Sequence, residues 1–254
     1  MTSRREQVLA HVVLGAFALL ALWPVARIVL GAGSLETAWV EGNFGTYLRS
    51  SVIVTVSVVA ISTFLSIMAG YAFGLMRFRG SQVLFYTFLL GLMVPLEAIV
   101  VPLYYDLRDF GMTNTYWSLI LPQAALSTAF GTFWMRAFFR SVPRSLIEAA
   151  RLDGSTSWVT LWRIVLPLGR PAVLTMIVLV FMWTWNEFLL ALVMVSDESL
   201  RTAPLGLAFF QGRNTSDEGL LAAGALIVAT PVVLVYLVLQ RHFIRGVLTG
   251  AVKG

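Results

Sequence analysis

Few side chains in this sequence have chemical capacity, and most of them are set in hydrocarbon. Glu97 lies in "MVPLEAIVVP" and Glu187 in "FMWTWNEFLL". Trp183 and Asn186 stand beside the second carboxylate, and Gln123, Thr128 and Thr132 mark another apolar run. A carboxylate at the centre of a bilayer costs about 2.5–3.5 kcal/mol on insertion scales, so such groups are kept for work. Three kinds of work fit them. Amides and carboxylates can hydrogen-bond a hydroxyl-rich solute while an indole face stacks on it. Two carboxylates can bind a coupling ion. The same groups can also bond helix to helix and only hold the bundle together. Catalysis is poorly served: the absence of Cys removes disulfides, thiolate metal sites and a Cys nucleophile, and His11 and His242 are too far apart in sequence to suggest a metal cluster.

A second group lies in the polar stretch "EAARLDGSTSWVTLWRIVLP", from Glu148 to Pro167. Pro143 can open a helix there, because its missing N–H is no loss in a first turn. Gly154 falls where a helix often ends in a left-handed residue. Ser155 or Ser157 can cap a following helix, whose Trp158, Leu161, Trp162 and Val165 fall at i, i+3, i+4 and i+7 and form one apolar stripe. Pro167 and Pro171 then interrupt the path. A short helix with Ala149 and Ala150 on a low-profile face beside Glu148 is shaped to be gripped by a partner. An ordinary interfacial loop fits the same pattern.

The elements that must position these residues are membrane spans. The 254 residues are 58% hydrophobic and 12% charged, where a soluble domain carries roughly 25% charged residues, and the mean hydropathy is +0.83. Six apolar runs reach or approach the roughly 20 residues that cross a bilayer as helix: Leu9 to Leu30, Ser51 to Phe73, Val83 to Leu103, Trp117 to Phe139, Val173 to Val195 and Leu220 to Gln240. They lack period-two alternation, which excludes a barrel. The fold class expected is all-α, a single transmembrane domain over 1–254. The first run reads as an uncleaved signal anchor, and Pro95, Pro102, Pro122 and Pro231 suggest kinks or breaks. Basic residues collect at the N-terminus, at 77–79, in the 140–171 connection and in the 241–254 tail, while the other side carries most of the acids. Both termini and the polar stretch are therefore expected in the cytoplasm. The net charge of +5 follows from this topology signal and does not mark a nucleic-acid partner.

Glu148-Ala149-Ala150, Gly154, Ile164, Leu166 and Pro167 reproduce the pattern E-A-A-x3-G-x9-I-x-L-P with unbroken spacing. In this the chain resembles the membrane subunits of ABC importers. "MVPLEAIVVPLYYDLRDFGMTNTYWSLILP", "TWNEFLLAL" and "QRHFIRGVLTGAVKG" are similar to the carbohydrate-uptake branch, and to its maltose-type second permeases in particular. The first span and first outer loop carry much less of the likeness. The resemblance implies a permease that is not an enzyme, moving a sugar by alternating access across a bacterial or archaeal cytoplasmic membrane. It implies partners as well: a cytoplasmic ATPase dimer holding the ATP and Mg, a second homologous permease and an extracytoplasmic sugar-binding protein, all set in membrane lipid. No cofactor is expected in this chain, which has no G-x-x-x-x-G-K-[ST] loop to cradle phosphates.

By the same resemblance Glu148, Ala149, Ala150, Asp153, Gly154, Ile164, Leu166 and Pro167 form the coupling loop to the ATPase. The tail residues Gly250, Ala251, Val252, Lys253 and Gly254 reach into the ATPase dimer, unless they are simply a frayed end. Gly206, Phe209, Phe210 and Gln211 lie in a loop facing the binding protein. Glu97, Gln123, Trp183, Asn186 and Glu187 are candidates for the translocation pathway, with structural or gating work the competing role for Glu187. The alternatives from other classes are an ion-coupled secondary transporter using Glu97 and Glu187, which would be expected to show internal repeats, and a purely structural scaffold. Which sugar is carried is not legible.

Overall fold

The computed structural model describes residues 4–213 and 217–251, with side chains described over 6–212 and 217–240. Helices and short connections make up all of the described residues, without a strand. In chain order the helices are α1 (Arg4–Gly31), α2 (Leu35–Glu41), α3 (Phe44–Leu75), α4 (Ser81–Met93), α5 (Leu96–Asp109), α6 (Tyr116–Ser141) and α7 (Arg144–Leu152). They continue with α8 (Ser157–Leu168), α9 (Arg170–Trp185), α10 (Leu189–Met194), α11 (Ala203–Arg213) and α12 (Glu218–Ala251). Glu6–Gly31, Phe44–Leu75 and Glu218–Gln240 are each long and apolar enough to cross a membrane, and the bent pairs α4–α5 and α8–α9 qualify when each is taken as one span. α6 is as long, but its buried side carries Ser118, Gln123, Ser127, Thr128 and Thr132.

Two runs that read as continuous in the sequence are broken. Val83 to Leu103 is divided between α4 and α5, bent by 98°. Pro95 is the cause: it offers no N–H, and it holds Val94 in extended backbone (φ −84°, ψ 115°), which a helix cannot pass through. The run from Val173 to Val195 stops at Trp185 and resumes at Leu189. Pro102, Pro122 and Pro231, by contrast, lie inside helices that continue through them.

The backbone divides into two compact units. The smaller comprises Met1–Gly45 and Gly206–Pro231. In it Gly33 N–H donates to Gly219 O at 2.8 Å, and Phe44, fully buried, meets Phe210 edge-on at 5.4 Å. Every described side chain of α1 is exposed, and nearly all are apolar from Val8 onward, so this helix needs lipid or another protein around it.

The larger unit, Thr46–Leu205 with Val232–Gly254, holds α7 and the candidate pathway residues, while Gly206, Phe209, Phe210 and Gln211 belong to the smaller one. α3 meets α6 through small residues. A Cβ added at Gly70 would stand 2.6 Å from Met135 Cβ, so only glycine permits this approach. Arg136 of α6 lies 3.8 Å over the Phe85 ring of α4, and its Nε donates to Phe73 O. Trp134 Nε1 donates to Ala172 O at 2.9 Å, tying α6 to the start of α9.

Candidate functional site: the α7 docking face and the broken helices

α7 is amphipathic and docks by its buried face. Ile147, 8% exposed, joins a core that includes Tyr71, Phe139 and Val142, and Ala150 is buried as well, at 4%. The opposite face presents Arg144, Glu148, Ala149, Arg151 and Leu152. This separates the two alanines of the motif: Ala149 is exposed, whereas Ala150 is buried within its own chain. It also adds a residue that motif spacing missed. Leu152 is 90% exposed at the tip of α7, an apolar side chain with nothing of its own chain over it.

The end of α7 is a Schellman motif. Ser155 N–H donates to Ala150 O at 2.9 Å and Gly154 N–H to Arg151 O at 3.0 Å, with Gly154 at φ +76°. A Cβ at Gly154 would meet nothing within 4 Å, so the requirement for glycine is one of backbone conformation and not of space. Thr156 caps α8, accepting from Val159 N–H at 3.3 Å, in place of the serines on either side of it. From Thr160 to Val165 α8 widens into a π-turn, with Leu166 N–H reaching back to Leu161 O. The wider turn comes just before Pro167, whose ring would crowd the carbonyl four residues back in a regular α-helix. Leu161 and Val165 are buried as the stripe required, Trp162 stacks on Phe64 at 6.3 Å, and Trp158 remains 55% exposed. Ile164 and Leu166 are half-buried and Pro167 is exposed.

The candidate pathway residues do not form one cluster. Gln123 is buried and donates to Leu119 O within its own helix. Trp183 is half-exposed and meets Phe130 edge-on at 4.7 Å. Glu97 is exposed in the first turn of α5. Asn186 Nδ2 donates to Met182 O at 2.7 Å, closing the end of α9. The Glu187 carboxylate accepts from Leu190 N–H at 2.9 Å and Ala191 N–H at 3.3 Å, so it caps α10 across the break. α10 packs on α5 and α6, which places the second halves of both broken helices side by side.

A polar clasp that no motif announced holds the segment after α10. Asn114, left-handed at φ +56°, accepts through Oδ1 from Ser196 N–H (3.1 Å) and Asp197 N–H (2.9 Å). Tyr47 donates to Glu198 at 2.8 Å, Ser50 to Ser199 O, and Ala203 N–H to Ser51 Oγ. The Asp197 carboxyl is held below its ordinary range by the N–H and O–H of Ser199, which both donate to it. The only advance signal was Asn114 itself, a residue type tolerant of left-handed backbone.

Of the residues expected to face a binding protein, Phe209 and Gln211 are exposed, whereas Gly206 and Phe210 are buried within a helix. Phe210 is committed to Phe44. Gly250 and Ala251 fall at the end of α12; Val252, Lys253 and Gly254 lie outside the described residues. Among the described residues no group of three His, Asp or Glu side chains could hold a metal ion.

Residues 62–249 match the model of the binding-protein-dependent transport system inner membrane component family. The chain belongs to this family. The match begins after the first span, where the resemblance is weakest. Among the relatives of this permease, the probable ABC transporter permease protein YurM of Bacillus subtilis is 40% identical over 229 residues, 87% of this chain and 76% of that one. The diacetylchitobiose uptake system permease protein NgcG of Streptomyces coelicolor is 34% identical over 85% of this chain and 72% of its own. The trehalose transport system permease protein SugB of Mycobacterium tuberculosis is 34% identical over 83% and 78% respectively. In structure, the permease matches a chain of a bacterial ABC transporter that imports the acidic polysaccharide alginate, with TM-score 0.77, 25% identity and coverage of 96% of this chain and 99% of that one. It is thus a permease of an ABC importer, and its relatives lend nothing to the ion-coupled reading. The carboxylate most needed for that reading, on Glu187, is occupied by backbone donors.

Proposed function

We propose that this permease carries a sugar, a mono- or oligosaccharide or a sugar derivative, across the cytoplasmic membrane by alternating access driven by a separate ATPase. The exposed face of α7, fixed at its end by the left-handed Gly154, carries this reading. Both termini and α7 lie in the cytoplasm, following the basic residues of the 140–171 connection. Glu148 meets a basic residue of the ATPase, Ala149 permits close approach, and Leu152 is buried on docking. Closure of the ATPase dimer on ATP then moves α7, and α8 transmits the motion to α9 through Gly169.

The broken helices supply one wall of the path. Non-helical backbone at membrane depth is tolerated where it is buried in protein or lines a water-filled cavity, and the breaks at Val94–Pro95 and Asn186–Phe188 are of this kind. A second, homologous permease supplies the facing wall, and α1 is covered by lipid or by that partner. An extracytoplasmic sugar-binding protein delivers the cargo near the exposed Phe209 and Gln211. That the named relatives serve diacetylchitobiose and trehalose uptake supports a sugar as cargo.

The test is uptake by the whole assembly, co-expressed from its genomic neighbours and reconstituted in proteoliposomes with a panel of labelled sugars. Uptake that requires ATP and the binding protein is expected for at least one sugar. Uptake driven by an ion gradient without ATP would refute the proposal.

A further inference from the structure

Where α8 meets α9 the chain turns by 81° at Gly169, and residues on both sides of this elbow line an open groove of about 330 Å³. Trp162, Leu166 and Pro167 from α8 line it together with Val173 and Leu174 from α9, and Arg170 is its one charged lining residue. The lining is apolar except for this guanidinium, which is exposed and makes no ion pair among the described residues. Between Asp153 and Glu187 the chain's only charges are Arg163 and Arg170, and no acid lines the groove. Its wall is fixed, because Trp162 is stacked on Phe64 of α3.

Resting on the reading that the 140–171 connection lies at the cytoplasmic face, we propose that this groove holds an anionic phospholipid of the inner leaflet. One helix lying along the membrane surface and one rising from it form a corner at the depth where headgroup meets acyl chain. The phosphate pairs with Arg170, while the upper acyl chain lies on Leu166, Pro167, Val173 and Leu174. Basic pockets beside spans on the cytoplasmic side suit anionic headgroups, and Trp belongs at that interface. A zwitterionic lipid could fill the apolar part but would bring a cation of its own towards the elbow. A bound lipid here would brace the elbow through which α7 moves α9.

The experiment uses the assembled transporter, delipidated in mild detergent and then given equal phosphatidylglycerol and phosphatidylcholine, with retained lipid read by native mass spectrometry. Wild type is expected to retain phosphatidylglycerol in preference. Arg170→Gln should weaken that preference about fivefold, the worth of one basic residue near an anionic surface. Leu174→Trp, which fills the groove, should abolish retention of either lipid there. Retention unchanged in both variants, or equal retention of the two lipids by wild type, would overturn the proposal. So would a cross-link from position 174 into a partner subunit, which would mean that protein occupies the groove. ATPase co-purification is read in the same samples and is expected to be unchanged in Arg170→Gln. Its failure in wild type would overturn the orientation itself, and the two failures remain distinguishable.

Discussion

Replacing Gly154 by Val tests whether backbone conformation, and not side-chain contact, sets the coupling loop. At φ +76° a non-glycine residue pays about 1–2 kcal/mol, and a β-branched one sits at the upper end. No steric penalty adds to this, since a Cβ would meet nothing within 4 Å. The strain therefore falls on the Schellman bonds from Gly154 and Ser155, and not on the bundle. A penalty of 1–2 kcal/mol lowers the population of the docking-competent loop about five- to thirty-fold. Membrane insertion and the melting temperature of the isolated permease should stay near wild type. ATPase binding and ATP-driven uptake in proteoliposomes should fall by that factor. Gly154→Asn serves as the control, because Asn visits the left-handed region far more readily and should recover most of the loss. Normal coupled transport by the Val variant, or equal damage from Asn and Val, would refute the reasoning.

Other predictions follow the same geometry. Glu187→Ala leaves two N–H groups of α10 without their acceptor and should cost about 1–3 kcal/mol, seen as a lowered melting temperature; Glu187→Gln keeps one acceptor and should recover much of it. Equal loss in both would point to the charge itself. Gly70→Ala places a Cβ 2.6 Å from that of Met135 and should destabilise the bundle by about 1–3 kcal/mol in a detergent melt. Leu152→Asp should leave that melt unchanged, since the side chain is 90% exposed, yet weaken ATPase binding at least tenfold if burial of the leucine contributes about 1.5–3 kcal/mol. Asn114→Ala should raise amide exchange at Ser196 and Asp197, whose N–H groups it now holds, with little effect at α7.

What the sequence reveals is what short-range rules govern. Long apolar runs mark the helices, and the spacing from Glu148 to Pro167 marks α7, its glycine turn and α8. The chain's own packing is harder to read. Ala150 looks equivalent to Ala149 until Ile147 is seen to turn that side of α7 inward. Asn186 and Glu187 show in the sequence as polar groups that interrupt hydrocarbon, but that the interruption is a break in the helix, with both side chains bonding the backbone around it, is not legible there. Pro95 carried its signal openly: it fixes an extended Val94, whereas Pro102, Pro122 and Pro231 are absorbed by long helices. The Asn114 clasp joins residues about eighty positions apart, beyond the reach of any local pattern.

The most direct test of the α7 docking face is site-specific cross-linking, for which a chain without cysteine is well suited. Single substitutions Ile147→Cys, Glu148→Cys, Ala149→Cys, Ala150→Cys and Leu152→Cys would be placed in turn in the assembled transporter and treated with a short bifunctional thiol reagent against a cysteine-bearing ATPase. Cross-links at 148, 149 and 152 but not at 147 and 150 are predicted, matching the exposed and buried faces of α7. Cross-links at all five positions, or at none while uptake remains ATP-driven, would contradict the account.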